Sequence, residues 1–357
     1  MNRETSVRAL EFAAALALTR VFSEATSLPG EYVTYGMQRF TVVIVSFLLT
    51  AAAYIPLYFL TRNIPSGVLS SGRHGKALHG FTTAFFGVFL LAGAADTGLR
   101  AHYYASSTVF DSAPSWYFYI FIGAALTFAI VKGIGAVSRT SLLVFAALVI
   151  LLVLMTAALA VEIKPDRLYP ALIDDAQTFP QEVIREFSLN GELLIFAALY
   201  GSVRGEKRVI PLYLSISCAM ILVMTLLYNT VFGYLTSKLD YPFYTLSSVS
   251  DITLLHRING IDVMIWVMAA VVKLALFTFA VRALARSQLR SATAVNIITA
   301  GFVPGALGLS WVFTKRPELF APIKALCETG LPLVIAALLP LADALPAILR
   351  KKRSERI

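Results

Sequence analysis

The chain has 357 residues, of which 58% are hydrophobic and only 14% charged, and its mean hydropathy is +0.74. An ordinary soluble domain is excluded, because its surface needs roughly a quarter of its residues charged. The formal net charge of +9 does not imply a nucleic-acid partner, since the basic residues sit in short loops between apolar runs and form no single patch.

Taken in order, the apolar runs close to the roughly 20 residues that cross a bilayer are Ser6–Leu28, Phe40–Leu60, Ala77–Leu99, Trp116–Ile134, Thr140–Val161, Phe187–Val203, Ile210–Leu235, Ile261–Leu284, Ala292–Phe313 and Cys327–Leu349. Ten transmembrane helices in an all-α polytopic membrane protein are therefore predicted, as one domain over residues 1–357. Residues 350–357 form a basic tail, and no soluble domain or low-complexity tract interrupts the pattern. Arg3 and Arg8 before the first run resemble the start of a secretory leader. The apolar character continues past Arg20 to Leu28, so the run reads as a span.

Alternate loops differ in charge. Arg3, Arg8, Arg62, Arg73, Lys76, Lys132, Arg139, Arg204, Lys207, Arg208, Arg290 and the tail lie on one side, predicted cytoplasmic with both termini. Glu24, Glu31, Asp111, Asp174, Asp175, Glu182 and Glu186 lie on the other. Trp116 and Trp311 fall at outer span ends, where aromatic belts form.

Within the spans a few residues break the apolar pattern. Arg20 in the first has Glu24 one turn on as a local partner; otherwise its planar fork is suited to a substrate carboxylate. Pro56 predicts a kink in the second span, and Pro332, Pro340 and Pro346 an irregular tenth. Asp96 in the third pairs most simply with Arg100, and Glu11 with Arg8.

The sixth run is the informative irregularity. Its wholly apolar part, Leu193–Val203, is too short to cross alone, so the span reads as a broken helix. Glu182, Arg185 and Glu186 decorate its first half, Ser188 to Gly191 form the break, and Ser188 or Asn190 is expected to cap the second half. That half then offers free N–H groups and a positive dipole end to an anion. Glu192 in its first turn is either a dipole-stabilised carboxylate paired locally or a proton or ammonium partner.

The eighth run holds Lys273, roughly 16 to 18 Å from either helix end at 1.5 Å per residue. That depth is too great for snorkelling, and an ammonium at the bilayer centre costs roughly 2.5 to 3.5 kcal/mol, so Lys273 must face protein, water or a counter-charge. Two readings stand: a structural lysine that neutralises a carboxylate or caps broken-helix carbonyls, and a charge at a substrate or ion site. If Glu192 and Lys273 meet, they form a candidate proton switch.

No catalytic signature accompanies these residues. His74, His79, His102 and His256 lack metal-ligand spacing, Cys218 and Cys327 suggest no disulfide framework, and neither a P-loop nor a nucleophile elbow occurs. No enzyme activity, metal or cofactor is expected.

The stretch Tyr241–Val281, with Pro242, Arg257, Trp266 and Lys273, resembles the signature of the GerAB-type spore germination permeases. The link Lys132–Ser141 and the segment Asn190–Arg208, with its Gly191-Glu192 pair followed by basic residues, are similar to the same family. The resemblance implies the amino acid/polyamine/organocation superfamily and a LeuT-like fold of two inverted five-helix repeats, here about residues 6–161 and 176–349. It also implies that helices 1 and 6 break around a ligand. The expected function is a germinant-sensing, permease-like subunit that binds a small nutrient, usually an amino acid, at the membrane midplane, with other germination receptor subunits as partners in the spore inner membrane. The alternative is an amino acid transporter in the cell membrane, with Lys273 in place of a sodium ion and Glu192 as proton carrier. The first span offers Thr19, Arg20, Val21, Phe22 and Ser23 where the family usually carries a glycine. The implied ligand-binding set is Thr19, Arg20, Ser23, Ser188, Asn190, Gly191, Glu192 and Lys273, with Glu192 and Lys273 as the coupling pair.

Overall fold

The computed structural model describes residues 7–27, 34–63, 76–108, 114–169, 176–251, 258–289 and 291–354. Its long helices are α1 (Ala9–Ala25), α2 (Gly36–Asn63), α3 (Lys76–Thr108), α4 (Ser115–Lys132) and α5 (Ile134–Ala158). The chain continues through two short helices, α6 (Phe179–Ser188) and α7 (Glu192–Leu199), then α8 (Val209–Phe232) and α9 (Pro242–Asp251). It ends with α10 (Ile258–Gln288), α11 (Ala292–Lys315), α12 (Pro317–Glu328) and α13 (Leu331–Ser354). A two-residue strand, β1 (Val7–Arg8), pairs in parallel with β2 (Val203–Arg204) and ties the start of α1 to the chain beyond α7.

The protein is an all-α polytopic membrane protein. Among the described residues, seven helices are long and apolar enough to cross a membrane, or eight if α12 and α13 count as one bent span. Their burial separates an inner column from an outer ring. In α10, 78% of the apolar window is buried, against 11–44% in the other six, so α10 is the central post. Ala269, Ala270, Ala275 and Ala280 are all fully buried there, and their small side chains let α1, α3, α5 and α7 approach closely. Every residue of α1 from Phe12 to Ala25 is buried, and so is every residue of α7. The outer helices instead expose large apolar side chains, such as Ile120, Phe121 and Phe128 on α4 and Leu143, Ile150 and Val153 on α5. Unpaired with protein, that surface belongs against lipid.

Three expectations need correction. The first predicted span holds a continuous helix, α1, across Thr19–Ser23. No glycine or proline interrupts it there, Thr19 and Ser23 bond back to the Leu16 and Thr19 carbonyls, and Arg20 reaches Glu24 within the same helix. The sixth begins earlier than Phe187, as α6, and its interruption is Leu189–Gly191. The tenth bends by 59° between α12 and α13, at Thr329 and Gly330, ahead of its three prolines. Gly330 sets that bend: its φ of +68° suits glycine, and an added Cβ would lie 2.7 Å from the Phe187 ring.

Candidate functional site

The helical periodicity of α10 turns Lys273 onto the face that meets α1 and α7. Its Nζ donates to Glu192 Oε1 at 3.1 Å, to the Thr19 carbonyl at 3.3 Å and to Ser23 Oγ. An ammonium has three donors, so these acceptors saturate it and stitch three helices together. Glu192 is fully buried at the first position of α7, where the helix dipole favours a carboxylate. Its Oε2 has no hydrogen-bond partner among the described residues.

The interruption ahead of Glu192 is built differently from the expected cap. Neither Ser188 nor Asn190 caps α7. Ser188 Oγ donates to the Arg185 carbonyl, and Asn190 Nδ2 donates to the Glu186 and Phe187 carbonyls, so both side chains close the end of α6. Asn190 Oδ1 accepts from Tyr213 at 3.0 Å. The cause is local geometry: Leu189 and Gly191 stay in the right-handed helical region, and Leu193 and Leu194 N–H bond to the Asn190 and Gly191 carbonyls.

A cavity of about 120 Å³ opens beside this interruption. Ser23 of α1, Ser188 and Gly191 at the break, and Lys273 of α10 form its polar wall, while Phe89, Gly93, Phe277, Leu194 and Leu333 form its apolar wall. Gly93 leaves room for the Phe277 ring, whose Cζ lies 3.0 Å from where a Cβ would be. Buried Arg100 and the partly exposed Asp96, Arg185, Lys324 and Glu328, which mark its mouth, complete the lining. Asp96 and Arg100 pair at 2.8 Å, as their spacing predicts. Of the expected ligand-binding residues, Ser23, Ser188, Gly191 and Lys273 line this cavity, and Thr19, Arg20, Asn190 and Glu192 do not.

Arg20 belongs to a second buried cluster. Its two terminal nitrogens go to Glu24 at 3.4 Å and to Glu186, and Arg39 reaches the remaining oxygens of Glu24 and Glu186, each at 2.6 Å. Two cations and two anions from α1, α2 and α6 thus close a neutral ring with side chains at most 4% exposed. Sequence reasoning missed Arg39, which lies at the start of an apolar run like an ordinary loop cation. It also missed Asp262, fully buried and bound by Tyr104, Ser247 and Trp266 at 2.8, 3.3 and 2.7 Å. The i, i+4 spacing of Asp262 and Trp266 was an available signal. Buried His79 and Asp343 meet at 2.9 Å between α3 and α13. Arg257 of the signature stretch lies outside the described residues, as do Arg3, Glu31, Arg73, His74, Asp111, Asp174, Asp175, His256 and Arg290.

Residues 29–302 match a family described as Spore germination protein. No curated protein matches the chain.

Proposed function

The chain belongs to the spore germination protein family of permeases, and we propose that it is the germinant-sensing subunit of a spore germination receptor, binding a small nutrient of the amino acid class at the membrane midplane. The observation that carries this reading is the cavity at the α6–α7 interruption, lined by Ser23, Gly191 and Lys273. Its size suits a small molecule, and its wall joins a buried positive charge and a helix N-terminus to apolar rings, the combination that a zwitterion with a short side chain needs. The ligand carboxylate lies at Gly191 in the field of Lys273. Lys273 acts there through its charge, because its three donors are already taken.

This reading carries a LeuT-like arrangement in which ten spans form two inverted repeats, about residues 6–161 and 176–349, with the sixth interrupted and the first continuous. Both termini are cytoplasmic, the membrane is that of the spore interior or the cell, and other receptor subunits receive the signal when the site closes. Calorimetric titration of the purified protein in nanodiscs with each free amino acid tests it. A bound amino acid should lose its affinity in Lys273→Met, and unchanged affinity in that variant removes Lys273 from the site.

One observation favours a second reading, that of an amino acid transporter. Among the described residues, Glu192 has one oxygen on Lys273 and one without a partner, an arrangement able to hand over a proton as the site opens. Labelled amino acid accumulated in proteoliposomes under a proton gradient selects transport; binding without flux selects sensing.

A further inference from the structure

We propose that α12 is a lid over the cavity, hinged at Gly330 and latched by Glu328 onto Arg185. Of its twelve residues only Phe320 is buried. Ile323, Lys324, Cys327 and Glu328, with Phe320, form the helical stripe that faces the cavity, while the opposite side of α12 is exposed. Its apolar anchorage is Phe320 against Phe313, ring centroids 5.0 Å apart, beside Ala95 and Leu99, with the partly buried Ile323 packed on the same cluster. Few of its side chains are therefore held by the rest of the protein.

The far end is held by charge. Glu328 Oε1 lies 3.7 Å from Lys324 on the same helix and 4.0 Å from Arg185 Nε on α6, so the second contact spans the cavity mouth. Arg185 also has Glu182 at 3.5 Å within α6. These side chains are 22–38% exposed where they meet across the mouth, which makes the latch weak, breakable and sensitive to salt. The hinge has a matching construction, since Gly330 carries the positive φ that ends α12 and packs its bare Cα on the Phe187 ring. The latch and the hinge therefore both touch α6, the half-helix that bounds the cavity, while Phe320 rests on α3 and α11. The role of the lid in admitting ligand rests on the cavity being the ligand site; its opening and closing do not.

The chain's own thiols supply the test. There are two cysteines, and Cys327 lies on the cavity face of α12, so Cys218→Ser leaves a single reporter under the lid. Labelling by a water-soluble maleimide should speed up about two- to fivefold in Glu328→Gln and Arg185→Gln, the range expected for losing a surface ion pair. The exchange Arg185→Glu with Glu328→Arg should restore the slow rate. Raising salt to about 0.5 M should speed labelling in the Cys218→Ser protein itself, an arm that needs no latch variant. Equal rates across latch variants and salt overturn the lid. Each of the common free amino acids is then added singly. A bound one should slow Cys327 labelling; one that binds by calorimetry and leaves the rate unchanged overturns the link between lid and ligand. If the latch variants speed labelling and no amino acid binds, the lid stands and the ligand assignment falls.

Discussion

Replacing Lys273 by methionine preserves most of the side-chain length and removes the charge, so its effect reports on the ion pair more than on packing. The variant loses the 3.1 Å contact to Glu192 and the bonds to Thr19 and Ser23. Glu192, fully buried and with Oε2 already unpartnered, is left with no partner on either oxygen among the described residues. Breaking a buried pair from one side costs roughly 3 to 5 kcal/mol, most of it the desolvation of the abandoned charge. The pair removed together is a different matter. Lys273→Met with Glu192→Gln leaves no uncompensated charge and should recover at least half of the loss, giving a coupling energy of about 2 kcal/mol or more. Equilibrium unfolding in mixed detergent micelles, run on the wild type, both single variants and the double variant, measures that cycle. A double variant no more stable than Lys273→Met alone would refute the reasoning, because Glu192 would then not be the group that Lys273 holds.

Three further outcomes follow from the packing. In Glu186→Gln the ring of four charges keeps two guanidinium groups and one carboxylate, which should destabilise by roughly 3 to 5 kcal/mol; a change within error on the same unfolding assay would mean the ring is solvated in solution. Gly330→Ala should cost about 1 to 3 kcal/mol, from the positive φ and the Phe187 ring. Gly305→Ala in α11, where an added Cβ meets nothing, should be neutral or gain up to about 1 kcal/mol; thermal midpoints in the opposite order would contradict the bend. Tyr104→Phe removes the 2.8 Å bond to Asp262 and should cost about 1.5 to 3 kcal/mol, more than Ser247→Ala, whose bond is 3.3 Å. Equal losses would show that the two hydroxyls do not bind as placed.

The part of the site legible in the sequence was the part that breaks a strong pattern. A lysine deep in an apolar run and a carboxylate at the start of a run too short to cross both stand out, and the two meet at 3.1 Å. Arg39 did not stand out, because a charge just ahead of an apolar run reads as a loop residue, and only packing shows that it is buried beside Glu24 and Glu186. The expected cap at Ser188 or Asn190 failed for a related reason. Residue type allowed a cap, but the backbone at Leu189–Gly191 stays helical and turns those side chains back onto α6.

Composition and hydropathy determined by themselves that the chain is a helical membrane protein and where most of its long helices lie, because the bilayer imposes a length and an apolar content that can be counted along a sequence. Tertiary structure decided that α1 stays whole, that α10 is the buried post, that α12 folds over the cavity mouth, and that four charges close a ring among α1, α2 and α6. Those features depend on which helix faces meet across long stretches of chain, as Arg20 and Glu186 do, and a periodic apolar pattern carries no record of its partners.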